Sequence, residues 1–192
     1  MTHHRRRNNG IDPSKINETV ELSPAQRYAA FKQTQAKQRT VAAEFARSMP
    51  FELDEFQMQA NDALEAGDNV LVAAPTGAGK TVAADFAIYL AQTRNVKAFY
   101  TTPIKALSNQ KYHDLVDQYG TDKVGLLTGD TSINSEADIV VMTTEVLRNM
   151  LYEHSVTLEA LRYVILDEVH YLADRFRGPV WEEVIILSLI HI

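Results

Sequence analysis

The chain has 192 residues, of which 45% are hydrophobic and 23% charged, an ordinary make-up for a globular protein long enough to bury a core. It contains no Cys, which excludes disulfides, thiolate metal sites and cysteine nucleophiles. No apolar run resembles a signal peptide or approaches the ~20 residues of a membrane helix, so a cytoplasmic address without a membrane partner is expected.

The net charge of −6 is unevenly spread: residues 1–50 carry 9 Lys+Arg against 4 Asp+Glu, and the remainder 10 against 21. A basic arm on an acidic domain reads either as a nucleic-acid contact or as a solvated tail. The opening MTHHRRRNNGIDPSKINETVE has few apolar residues and several turn formers, which predicts disorder, whether the start is native or vector-derived. Ser23-Pro24-Ala25-Gln26 then suits a helix start, with a serine cap, proline in the first turn and a glutamine able to close a capping box. The helix is expected to run to about Met49. Its stripe of Tyr28, Phe31, Gln35, Gln38, Ala42 and Phe45 is polar in the middle, so weak packing is expected, or packing on something outside the chain. Residues 1–49 are therefore read as an N-terminal extension and 50–192 as the domain proper.

From Phe51 the pattern alternates between helices and short apolar strands. Helices are predicted at Asp54–Ala66, closed by Gly67, and at Thr81–Thr93, Lys105–Tyr119 and Thr144–Tyr152. Strands are predicted at Val70–Ala74, Lys97–Thr101, Val124–Leu127, Ile139–Met142 and Tyr163–Leu166. Strands apolar on both faces with helices between them give an α/β, three-layer domain on a mainly parallel sheet.

Two stretches carry chemistry. In the first, Val70–Ala74 feeds Pro75-Thr76-Gly77-Ala78-Gly79-Lys80-Thr81 and then a helix whose free N–H groups and dipole favour an anion. Gly77 and Gly79 let the backbone wrap phosphates, Lys80 is placed to neutralise them, and the Thr81 hydroxyl to ligate Mg²⁺. The P-loop pattern G-x-x-x-x-G-K-[ST] is met except at its first position, where Ala74 replaces glycine. In the second, 87 residues on from Lys80, the apolar strand Tyr163–Leu166 ends in Asp167-Glu168-Val169-His170. Acids at the C-terminal end of a strand sit where open α/β sheets bind ligands. Asp167 is read as the Mg²⁺ acid, and Glu168 as the base that positions and deprotonates water.

Ala74–Thr81 with Asp167–His170 resembles motifs I and II of superfamily 2 DExH-box helicases, most closely the exosome-cofactor, HelY-like branch. Thr101–Lys111, Gly125–Asp130, Thr143–Met150 and Arg177–Glu183 resemble further motifs of that branch, in order, so that the resemblance covers about Phe51 to Ile186. It implies a RecA-like ATP-binding domain that uses ATP and Mg²⁺ to move along nucleic acid, with RNA favoured over DNA. It also implies that Thr102, Pro103, Lys105, Thr128, Gly129, Thr144 and Arg148 line the nucleic-acid track and hold backbone phosphates. Local readings stand beside these: Thr144 as a helix cap, Lys105 as a solvated residue at a helix start. Gln57 would read the adenine edge or be an exposed helix glutamine, and His170 would couple the ATP site to a second motor domain. His113 and His154 are expected at the surface, and Trp181 as a packing anchor.

Nothing after Glu183 resembles the second RecA-like domain, its arginine finger or the Ser-Ala-Thr motif, so the sequence reads as a truncated or frame-shifted piece of a longer gene. The apolar end Val184–Ile192 is expected to be a strand without its partner. Two alternatives remain: a non-enzymatic nucleotide-binding fragment, and a DNA helicase of the same superfamily.

Overall fold

In the computed structural model, β4 (Ile139–Thr143) turns Ile139 and Val141 to one face and Val140 and Met142 to the other, and all four are fully buried. A strand that is apolar on both faces requires a layer on each side. The structure describes residues 39–191 together with Ser23 and Lys32. The readings of the basic arm, of the helix start at 24–26, and of Tyr28, Phe31, Gln35 and Gln38 lie outside the described residues.

The sheet has the order β3-β2-β4-β1-β5, where β1 is Lys97–Thr102, β2 Val124–Thr128, β3 Thr131–Ile133 and β5 Leu161–Leu166. Four of these strands are mutually parallel, and β3 pairs antiparallel to β2. One face packs on Ile88, Tyr100, Leu115, Val124 and Val141, which brings α3 (Thr81–Arg94) and α4 (Lys105–Tyr119) over β1, β2 and β4. The other face packs Phe99, Met142, Leu147, Leu151 and Val184, beneath α5 (Thr144–Tyr152) and α6 (Gly178–His191). Adjacent residues of β1, Phe99 and Tyr100, thus serve opposite layers, as a two-residue side-chain period dictates. The three-layer α/β architecture is as expected.

Three sequence expectations are corrected. First, Val70–Ala74 forms no strand. The edge strand beyond β1 is β5, no described strand lies outside it, and Leu71 is 79% exposed. An apolar run can become a strand only if its N–H and C=O groups find a partner row, and here they find none among the described residues. Second, the end of the chain is a helix, α6, rather than a strand. The Asp174 carboxylate accepts the N–H groups of Phe176 and Arg177 at 2.8 and 2.9 Å, and Pro179 occupies the first turn, where it loses no hydrogen bond. Trp181, the expected packing anchor, is 1% exposed in that helix.

Third, the helix expected to run unbroken to Met49 has a turn at Arg39–Thr40, and α1 (Val41–Ser48) begins anew. Glu65, in α2 (Glu55–Ala66), accepts from Val41 N and Ala42 N at 2.9 and 2.8 Å, placing an anion on the free amides of α1. The described residues from Val41 onward form one compact unit. Phe45 is 2% exposed and packs with Val82, Phe86 and Leu90 of α3, its ring 5.2 Å from that of Phe86. The segment 41–49 is therefore built into the domain. Truncating Phe45 to Ala should lower unfolding stability by about 3–5 kcal/mol. A urea midpoint shift of the size typical of surface substitutions, within about ±0.5 kcal/mol, would show α1 to be a mere appendage.

Candidate nucleotide and nucleic-acid site

Parallel strands deliver their following loops to one edge of the sheet. The register pairs Thr102 with Thr143 and Thr101 with Leu166, so β1, β4 and β5 end side by side. Pro103, Thr144 and Asp167 therefore leave the sheet together, and Asp167 N donates to Thr101 O at 3.0 Å. The P-loop reaches the same edge by another route. α3 reverses into β1 through Asn95, which takes the left-handed conformation, and packs back along β1 and β5. Its 14 residues span about 21 Å, close to the ~20 Å of the six-residue β1. The amino end of α3, carrying Lys80 and Thr81, accordingly stands level with the C-terminal ends of the strands.

Within the P-loop, Gly77 and Gly79 adopt φ of 83° and 76°. At Gly79 the positive φ disfavours a side chain, and a Cβ there would come 2.6 Å from Gln57 Nε2 and push the glutamine amide aside. Gln57 is 4% exposed. Its carbonyl accepts from Asp54 N at 2.9 Å in a capping box, and its amide donates to Gly79 O at 3.0 Å. It is thus neither an exposed helix glutamine nor a free adenine reader: both ends of its amide hold the start of α2 and the P-loop. Lys80 Nζ donates to Ala74 O at 2.8 Å, which gives the residue in the missing-glycine position a part in the loop through its backbone. Thr76 and Thr81 are exposed.

The acids are held tightly. Asp167 Oδ1 accepts from Glu168 N at 2.8 Å, and Oδ2 from the Tyr100 hydroxyl at 2.7 Å. Burial, together with the Asp167 charge, pushes the Tyr100 phenol far above its ordinary range, so it remains a donor. Glu168 sits in the left-handed region at φ 58° and ψ 42°, a conformation that costs about 1–3 kcal/mol in a non-glycine residue and collects at functional sites. Its carboxylate lies 2.9 Å from His170 Nδ1. His170 is exposed, as are His113 and His154.

The loops read as a nucleic-acid track divide into two groups. Lys105, Gly129 and Arg148 reach solvent, and Lys105 Nζ lies 2.6 Å from Asp130 Oδ2, joining the loop after β1 to the turn after β2. That lysine, with a bond from Thr128, holds the Asp130 carboxyl below its usual range. Thr102 and Thr144 are buried, their hydroxyls spent internally: Thr102 shares 2.7 Å with Ser108 Oγ, and Thr144 donates to Thr102 O at 3.2 Å. Thr128 is buried as well. Pro103 is buried and its carbonyl accepts from Arg177 at 2.9 Å. These four shape the loops. Sequence reasoning missed Tyr100, Lys111, Asp85 and Arg177. The one signal for Tyr100 was a phenol in the middle of a strand expected to be buried, since a buried hydroxyl needs a partner.

The residues fit a magnesium–nucleotide. Among the described residues no three His, Cys, Asp or Glu gather to hold a metal by themselves. One carboxylate, Asp167, with the Thr81 hydroxyl is a hard-oxygen set of the kind magnesium uses beside substrate phosphates.

Comparison with known proteins agrees with this arrangement. Residues 54–189 match the DEAD/DEAH box helicase family. The probable helicase HelY of Mycobacterium tuberculosis is 63% identical over 142 residues, 74% of this chain and 16% of that protein. The antiviral helicase SKI2 of Saccharomyces cerevisiae is 52% identical over 147 residues, 77% of this chain and 11% of that protein. Among solved structures, the helicase Lhr of Mycobacterium smegmatis bound to ssDNA and AMP-PNP superposes with a TM-score of 0.59 at 29% identity, over 77% of this chain and 23% of that one. The helicase MrfA bound to DNA gives 0.62 at 27%, over 78% and 24%. The chain thus spans under a quarter of each of these four relatives, and by the family match and these identities it belongs to the DEAD/DEAH box helicase family.

Proposed function

We propose that this chain is the first motor domain of an ATP-dependent helicase that translocates along RNA, completed by a second RecA-like domain in the longer protein. The observation that carries the reading is the gathering of Asp167, Glu168 and the three loops after β1, β2 and β4 at one sheet edge, toward which the length and packing of α3 direct the P-loop. ATP would lie in the cradle of residues 74–81, with Lys80 turning its ammonium from Ala74 O to the phosphates. Thr81 and Asp167 would hold Mg²⁺, which when bound neutralises charge on the transferring phosphoryl group.

Glu168, on its strained backbone, would orient a water and take its proton. His170, paired with Glu168, would pass the state of that carboxylate to the second domain, since it is the more exposed of the pair, at 69% against 43%. Gln57 would act through the P-loop, and would reach the adenine by exchanging one of its two present bonds. Lys105, Gly129 and Arg148 would meet backbone phosphates directly, while Thr102, Pro103, Thr128 and Thr144 set the loops that present them. Such contacts ignore base identity, as suits a motor that moves along any strand. RNA is favoured because relatives such as the ATP-dependent RNA helicase DExH11 of Arabidopsis thaliana and the ATP-dependent RNA helicase mtr4 of Schizosaccharomyces pombe align at 52% and 50% identity. A DNA-directed reading is supported by the DNA-bound structural neighbours.

Three outcomes are expected. In the full-length protein, Glu168→Gln should abolish ATP hydrolysis and leave nucleotide affinity within about twofold, because the base is lost while the phosphate cradle is kept. Unchanged turnover would remove Glu168 from its role. A polypeptide of these 192 residues alone should bind Mg-ATP weakly and turn it over negligibly, since an arginine finger contributes about 10³–10⁵ in rate. RNA-stimulated ATPase activity from that polypeptide would refute the two-domain reading. Lys105→Ala should weaken single-stranded RNA binding equally across sequences and reduce the salt slope by about 1. Titrations against RNA and ssDNA at several salt concentrations measure both, and also separate the two polymers.

A further inference from the structure

The P-loop helix, the helix that follows the loop after β1 and the acidic strand end are joined by a chain of side chains. Asp85, one turn into α3, lies 3.1 Å from Lys111 Nζ on α4. Lys111 Nζ stands 4.9 Å from the centroid of the Tyr100 ring, within cation–π range. The Tyr100 hydroxyl donates to Asp167 Oδ2 at 2.7 Å. Tyr100 is 2% exposed, packed in the cluster that contains Ile88 and Leu115, so its ring has little freedom to turn.

We infer that Tyr100 is a positioning residue that fixes the Asp167 carboxylate for its cation, with Lys111 and Asp85 clamping the ring. This rests on the reading of Asp167 as the acid that serves Mg-ATP. A carboxylate free to rotate about its two side-chain torsions must be ordered when a cation binds. Here Oδ1 is tied by the Glu168 amide and Oδ2 by the phenol, so the plane of the group is set beforehand and each oxygen keeps a lone pair for the metal shell. Hydrogen-bond partners of metal-ligating carboxylates typically govern metal affinity by 10–100-fold. The clamp gives α4, whose first residue is Lys105, a mechanical path to the acid. A displacement of α4 on nucleic-acid binding would move Lys111 against the ring that holds Asp167.

The test is the binding of a fluorescent ATP analogue by the 192-residue chain, titrated with Mg²⁺. Tyr100→Phe keeps the ring and removes the donor. It should leave affinity for metal-free nucleotide within about twofold and raise the Mg²⁺ concentration for half-maximal tightening about tenfold. With Asp167 already changed to Asn, adding Tyr100→Phe should move that midpoint no further. A wild-type midpoint in Tyr100→Phe, whatever its melting temperature, would overturn the inference, and so would a tenfold shift that persists in the Asp167→Asn background. Should Tyr100→Phe not fold, Lys111→Met decides: a raised midpoint supports the clamp and an unchanged one overturns it. No Mg²⁺-dependent tightening in the wild-type chain would sink the Mg-ATP reading itself, and the inference with it.

Discussion

Strand direction is the constraint on which the molecule depends. Because β1, β2, β4 and β5 run the same way, every loop that follows them emerges at one edge; the returns from β1 and β4 cross a face through α4 and α5, and the return from β2 runs through the antiparallel β3. The sequence therefore has no choice about where Pro103, Gly129, Thr144 and Asp167 meet. It chooses only what to place there. α3 then closes the geometry, since a helix as long as the neighbouring strand brings its amino end back to the same level.

What occupies that edge is rigid for reasons of bonding rather than of bulk. Asp167 has both oxygens engaged, Gln57 both ends of its amide, and Thr102 and Thr144 have their hydroxyls turned inward. The exposed members of the same loops, Lys105 and Arg148, are paired with Asp130 and Glu183 at distances of 2.6 and 3.9 Å in settings open to water. Surface pairs of this kind contribute roughly 0–1 kcal/mol, so a phosphate can replace the carboxylate at small expense. Buried polar groups set the shape of this edge, and its surface cations are held only by pairs open to water.

Much of this could be read from residues alone, and what could not has a common cause. α4 and α5 begin and end where periodicity, Gly120 and the strand-ending threonines put them, because those signals act within a few residues. The P-loop and the acidic turn were legible for the same reason. Val70–Ala74 was misread as a strand because strand identity is settled by a partner far along the chain. The apolar run after Pro179 was misread because a helix apolar over much of its surface and a buried strand carry the same pattern until length and capping decide. Gln57 was found for one role and observed in another, and Tyr100 was not singled out, since both depend on what the fold sets opposite them.

The strain at Glu168 follows from the same edge. Asp167 extends the β5 ladder by donating its amide to Thr101 O, and the chain then turns at once into the short helical turn at Val169–Ala173. A left-handed residue is the compact way to make that turn, and glycine would make it without strain. Glutamate stands there instead. The Asp167 carboxylate offsets part of the penalty by accepting the strained residue's own amide, so the group read as the metal acid also holds the backbone of the group read as the base. Neither acid can be moved without the other. Tyr100, gripping the far oxygen of Asp167, is where a neighbouring helix can act on both.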